Sequence, residues 1–158
     1  MFGTAAAFAE EPAFMKSDMV LLLELLPSPP GPDSDITEAE IVDPAKTVWA
    51  KPRPPVVDAT MPFIRLSKSG SYPSGHATHG MMFGITLAKM MREKRDAFLA
   101  RRLDFGRSRY VVSVHYLSDI EASKMAGTAI GIALLHDAAF LKVMKPVKAE
   151  LRAAMGMM

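Results

Sequence analysis

A chain of 158 residues, 49% hydrophobic and 23% charged with a net charge of +2, has the balance of one globular domain and the length to bury a core. So small a charge, scattered without a basic run, argues against a nucleic-acid partner but leaves room for a pocket that takes one small anion. The absence of cysteine removes disulfides and thiolate zinc sites.

In chain order, Phe2 to Ala9 is a short apolar segment ending in Ala7-Phe8-Ala9, directly before Glu10-Glu11. That small-x-small ending resembles the cleavage site of a secretory leader, although the first cation is Lys16; the other reading is an apolar chain end. The expected division is a leader remnant over residues 1–9 and a single domain over 10–158. Ala13 to Leu26 reads as an apolar helix with Leu21, Leu22, Leu25 and Leu26 on one side, stopped by Pro27-Ser28-Pro29-Pro30-Gly31-Pro32. A helical turn is expected from Thr37, with Pro44 near its end. A helix carrying Lys46 must stop near Lys51, because prolines follow at 52, 54 and 55.

Residues 56–72 read as loop. From Gly75 to about Asp96 the spacing of Phe83, Leu87, Met90 and Met91 predicts a helix that Arg92 to Arg95 end. Asp96 to Arg102 continues or restarts it, Gly106 breaks the pattern, and Tyr110 to Val114 is ambiguous between helix and strand. A further helix is expected over Leu117 to Met144, with Met125, Ala129, Ile132, Leu135 and Ala139 along one stripe. Pro146 then ends it or opens a short helix to Met155. The longest apolar stretch, Met125 to Phe140, contains His136 and Asp137 and is shorter than the roughly twenty residues of a membrane span. The thirteen methionines follow helical spacing instead of clustering with histidine, so they read as core filler in place of a soft-metal site. Without strand patterns or repeats, the fold class is all-α.

Three segments carry chemistry. Lys46 and Arg53 are seven apart, close to two helical turns, so they can point to one side if the segment stays helical. Pro73-Ser74-Gly75-His76 places Ser74 as an N-cap, Gly75 where backbone can approach a ligand, and His76 in the first turn of a helix whose start attracts anions. In the third segment His115 and Asp119 are four apart, neighbours on a helical face, so that Asp119 can fix the tautomer of His115 and leave its other nitrogen free. Arg109 is six before His115, which calls for a bend or a helix start between them.

Taken together, K-x6-RP, PSGH and SR-x5-H-x3-D resemble the signature of the type 2 phosphatidic acid phosphatase (PAP2) superfamily, which also holds bacterial nonspecific acid phosphatases and vanadium haloperoxidases. Eleven fixed identities match, with gaps of 18 residues (Pro55 to Tyr72) and 31 residues (Ala77 to Arg107) between the segments. The proline-rich segment and Gly70-Ser71-Tyr72 look most like the secreted class A bacterial acid phosphatases. In those relatives a helical block separates the proline-rich segment from the first motif. Here only Asp35 to Ala45 lies between, so the resemblance implies a compact helical bundle shortened at its N-terminal side.

The resemblance implies hydrolysis of phosphate monoesters through a phosphohistidine, with phosphotransfer as a side activity. His115 would be the nucleophile, Asp119 its orienting carboxylate and His76 the general acid. Lys46, Arg53, Ser74, Gly75 and Arg109 would bind the phosphate. No metal or other cofactor is implied, although phosphate or vanadate could occupy the pocket. The implied partners are small phosphate esters, with a homo-oligomer left open, and the implied location is periplasmic or secreted. Two rival readings share these residues: a vanadate-dependent haloperoxidase, and a shortened non-catalytic relative that only binds phosphate.

Overall fold

A computed structural model describes residues 38–63 and 65–157. The leader-like residues 1–9, the helix expected over Ala13 to Leu26 and the proline-rich segment lie outside these. Among the described residues every regular element is helical: α1 Glu38–Trp49, α2 Pro54–Val57, α3 Gly75–Met90, a 3-10 turn Arg92–Lys94, α4 Arg95–Val111, α5 Leu117–Leu134 and α6 Ala138–Ala154. The all-α expectation holds. No single described helix is long and apolar enough to cross a membrane.

Helix α3 is the hub, packed on one side by α4 and on another by α5, with α1 touching it near the site. Leu87, Met90 and Met91 are buried with Leu151 from α6, and Phe83, Phe98, Met144, Val147 and Met157 close over them. The Phe83-to-Met91 spacing therefore marked the correct face, with methionine filling much of this cluster.

The stripe expected on α5 did not. Met125 is 71% exposed and Ile132 50%, while Ile120, Ser123, Gly127, Ile130, Gly131 and Leu134 are buried. Close approach decided the face. A Cβ on Gly127 would run into the Thr78 carbonyl oxygen and the Met81 Cβ, so α5 meets α3 along its smallest residues.

Gly106 does not break its helix. It is buried in the middle of α4, where a Cβ would sit 3.3 Å from both Ala77 Cβ and Ile120 Cγ2. The long helix expected over 117–144 is two helices meeting at 88°, because Asp137 accepts a hydrogen bond from Phe140 N at 2.6 Å and so caps a new start. Neither Pro146 nor Pro44 ends its helix; each lies inside one. Pro146 lacks an N–H, but the carbonyl it leaves without a partner is that of exposed Lys142, which water can serve.

Candidate active site

The first cations come from the end of α1. Ala50 adopts φ 41° and its N–H reaches Lys46 O at 3.0 Å, the left-handed stop that closes a helix. The chain is therefore extended by Arg53, and Lys46 and Arg53 do not share a helical face. They converge on one loop instead. Lys46 Nζ donates to Gly70 O (3.1 Å) and Pro73 O (2.6 Å). Arg53 donates from Nε to Ser69 O (3.0 Å) and from NH2 to Gly70 O (3.3 Å). Both cations thus fix the segment that delivers Ser74.

Ser74 caps α3, its hydroxyl accepting from Ala77 N at 3.4 Å, while Thr78 returns a hydroxyl bond to Ser74 O at 3.0 Å. Gly75 is the first residue of the helix and His76 the second. The first N–H groups of a helix have no intrahelical acceptor, so this start presents donors and the positive end of a dipole to an anion. His76 is open to solvent, with its ring 6.2 Å from that of Phe105. Partial desolvation, then the charges of Arg109 and Arg53 and the nearby His115 and His79, push its imidazole below the ordinary value.

The spacing from Arg109 to His115 is explained by the end of α4. Ser113 takes φ 57°, its N–H bonds Tyr110 O (2.9 Å), and Val114 N bonds Arg109 O (3.2 Å). This is a Schellman stop with serine in the position glycine usually fills. It leaves Arg109 in the last turn of α4 and hands His115 to the start of α5, so the expected bend is present. His115 and Asp119 do not lie on one helical face, however. His115 precedes the helix, and Asp119 sits in its first turn with Oδ2 accepting from Tyr116 N (2.9 Å) as well as facing His115 Nδ1 (3.3 Å). The pair is made by helix capping, not by helical periodicity.

The proton positions follow from donor chemistry. Arg53 NH1 lies 3.2 Å from His115 Nε2 and 2.9 Å from Val114 O. A guanidinium only donates, so Nε2 carries the lone pair and the ring proton sits on Nδ1, aimed at Asp119. Burial pushes His115 below its ordinary value and Arg53 and Lys46 push it further, against the opposing pull of Asp119. Burial would raise Asp119, but bonds from His115, Lys51 and the Tyr116 N–H, with the charge of Lys51, outweigh it and hold the carboxyl at about 2. The resting pair is a neutral imidazole on a carboxylate.

Two residues without an assigned role in the sequence prove structural partners of the site. Ser123 accepts from Ser74 N (2.8 Å) and donates to Asp119 O (2.6 Å), joining the start of α3 to that of α5. Its position four after Asp119 was the one available signal. Lys51 reaches Asp119 Oδ1 at 2.7 Å. Among the described residues no three His, Asp or Glu side chains are grouped to hold a metal ion.

A helical hub whose capped start lies near a buried His–Asp pair and several cations is a candidate oxyanion site. The sequence comparison names its class: residues 36–142 match the PAP2 superfamily, and the chain belongs to that family. It is 35% identical over 124 residues to an acid phosphatase of Zymomonas mobilis, a match covering 75% of this chain and 47% of the relative. It is 33% identical over 86 residues to a non-specific acid phosphatase of Providencia stuartii and 34% identical over 86 to one of Salmonella typhimurium. Each of these two matches covers 54% of this chain, with 35% and 34% of the respective relatives. The chain thus spans about half the length of the first relative and about a third of the other two.

Proposed function

We propose that this chain hydrolyses phosphate monoesters with His115 as the nucleophile. The observation that carries the reading is the fixed tautomer: Arg53 identifies Nε2 as the lone-pair nitrogen and Asp119 holds Nδ1–H from behind. Nε2 attacks phosphorus, the P–O bond to the alcohol breaks, and His76 gives its proton to the departing oxygen. A water then attacks the phosphohistidine and passes a proton to His76. The N–P bond breaks, and phosphate leaves. Lys46, Arg53, Arg109, the Ser74 hydroxyl and the Gly75 N–H stabilise charge on the equatorial oxygens, work that several fixed cations can do in place of a metal ion. An alcohol replacing the water gives phosphotransfer.

Turnover of p-nitrophenyl phosphate tests this. His115→Ala should abolish it, and EDTA should leave the wild-type rate unchanged. Retained activity in the variant overturns the nucleophile, and loss in EDTA overturns the metal-free mechanism.

A further inference from the structure

Lys51 lies in the extended segment between α1 and α2, two residues before Arg53, and its ammonium is held from four directions. Nζ bonds Asp119 Oδ1 at 2.7 Å and Ser118 Oγ at 2.9 Å. It also stands 4.2 Å from the Tyr116 ring centroid and 5.7 Å from that of Tyr72. Its backbone is pinned as well, since Lys51 O accepts from Ser71 N at 2.9 Å. A lysine that merely covered surface would need none of this. Its side chain is 31% exposed while its carboxylate partner is fully buried, so the pair is screened far less than a surface ion pair.

The two oxygens of Asp119 are divided. Oδ2 serves His115 Nδ1 at 3.3 Å and Tyr116 N at 2.9 Å, and Oδ1 belongs to Lys51 at the shortest of the three distances. A bare carboxylate behind an imidazole stabilises the imidazolium and raises its proton affinity, typically by about one pH unit or more. That would protonate and silence a histidine nucleophile in acid. A lysine on Oδ1 opposes that charge while leaving the orienting hydrogen bond on Oδ2 in place.

We infer that Lys51 is a positioning residue that lowers the proton affinity of His115 through Asp119, keeping the imidazole deprotonated in acidic solution. The inference rests on the reading of His115 as the nucleophile. The other charged groups acting on His115 are Arg53 and Lys46 from the α1 side, both opposing its protonation, and Asp119 of α5, which favours it. His76 of α3 couples to His115 and is itself influenced by Arg109 of α4. Of these groups only Asp119 is bonded to Lys51, so a Lys51 substitution reaches His115 through that carboxylate.

The test is a ring-proton NMR titration of the four histidines in wild type, Lys51→Met and Lys51→Arg, with the His115 signal assigned by its loss in His115→Gln. The acidic limb of kcat/KM for p-nitrophenyl phosphate is followed in parallel. His115 in Lys51→Met should titrate about one pH unit higher than in wild type, a tenfold loss of neutral imidazole at acidic pH. Lys51→Arg should return it to the wild-type value, and the limb should move with it while KM stays nearly constant. Should Lys51→Met not fold, Lys51→Gln keeps an N–H donor for Oδ1 without the charge and is read the same way. An unchanged His115 titration in the folded charge-removing variant overturns the inference, even if its turnover falls. A shifted titration in a protein with no phosphatase activity supports the coupling and sinks the phosphatase reading instead.

Discussion

Arg53 NH1 and His115 Nε2 lie 3.2 Å apart although 62 residues separate them, and the same NH1 also bonds the Val114 carbonyl beside that histidine. The guanidinium therefore reads the backbone and the ring together, fixing the lone pair of Nε2 toward the cationic side of the site. In the proposed reaction this donor turns from the ring to a phosphoryl oxygen as the nucleophile engages.

Arg53→Lys should be far from conservative. A lysine offers a point charge in place of a planar fork and cannot serve both Ser69 O and Val114 O as the fork does, while Gly70 O keeps its bond from Lys46 Nζ. Turnover of p-nitrophenyl phosphate should fall by roughly 10²-fold, the usual effect of removing one transition-state donor. Denaturant unfolding should show a further loss of about 1–3 kcal/mol from the stranded carbonyl. Wild-type turnover in the variant would remove Arg53 from the chemistry.

The pH dependence should be bell-shaped and centred in acid. His115 must be neutral to attack and His76 protonated to serve the leaving group, and both imidazoles are held below their ordinary 6.5. The maximum of kcat/KM, corrected for substrate ionisation, should therefore lie below that value. A maximum in the alkaline range would contradict the assignment of both roles.

Asp119 should make the protein sensitive to acid. Its folded-state value of about 2 lies under the ordinary 3.8, so its contribution to stability is fully present above pH 4 to 5 and is lost as pH falls toward 2. The depression corresponds to on the order of 2 kcal/mol. Urea unfolding across that range should show the decline in wild type and a much flatter profile in Asp119→Asn. Equal slopes would place the acid sensitivity elsewhere.

Gly127→Ala separates local preference from packing. Alanine gains about 1 kcal/mol of intrinsic helix preference over glycine. Here the new methyl meets the Thr78 carbonyl and the Met81 Cβ, one of them backbone that cannot swing away. Overpacking of this kind typically costs about 1–3 kcal/mol or more, so the net change should be destabilising, read as a lower midpoint in thermal unfolding. A raised midpoint would mean that α5 can slide off α3 without penalty.

Much of the candidate site was legible because its signals are local. Ser74-Gly75 announces a helix start through capping chemistry, and prolines at 52, 54 and 55 limit the helix that carries Lys46. The six-residue gap between Arg109 and His115 calls for a turn, which Ser113 supplies with a positive φ that serine does not advertise. The His115–Asp119 pair was legible for the wrong reason: its spacing fits a helical face, but a cap makes the contact.

The sequence by itself determined the helical class and the start of α3, since periodicity and capping act within a few residues. Tertiary structure decided which face of α5 is buried, because the outcome depends on how closely α3 can approach Gly127 and not on which residues are most apolar. It also decided that Lys51 and Ser123 belong to the site. Lys51 meets Asp119 across 68 residues and Ser123 meets Ser74 across 49, and contacts of that reach leave no periodic trace in the chain.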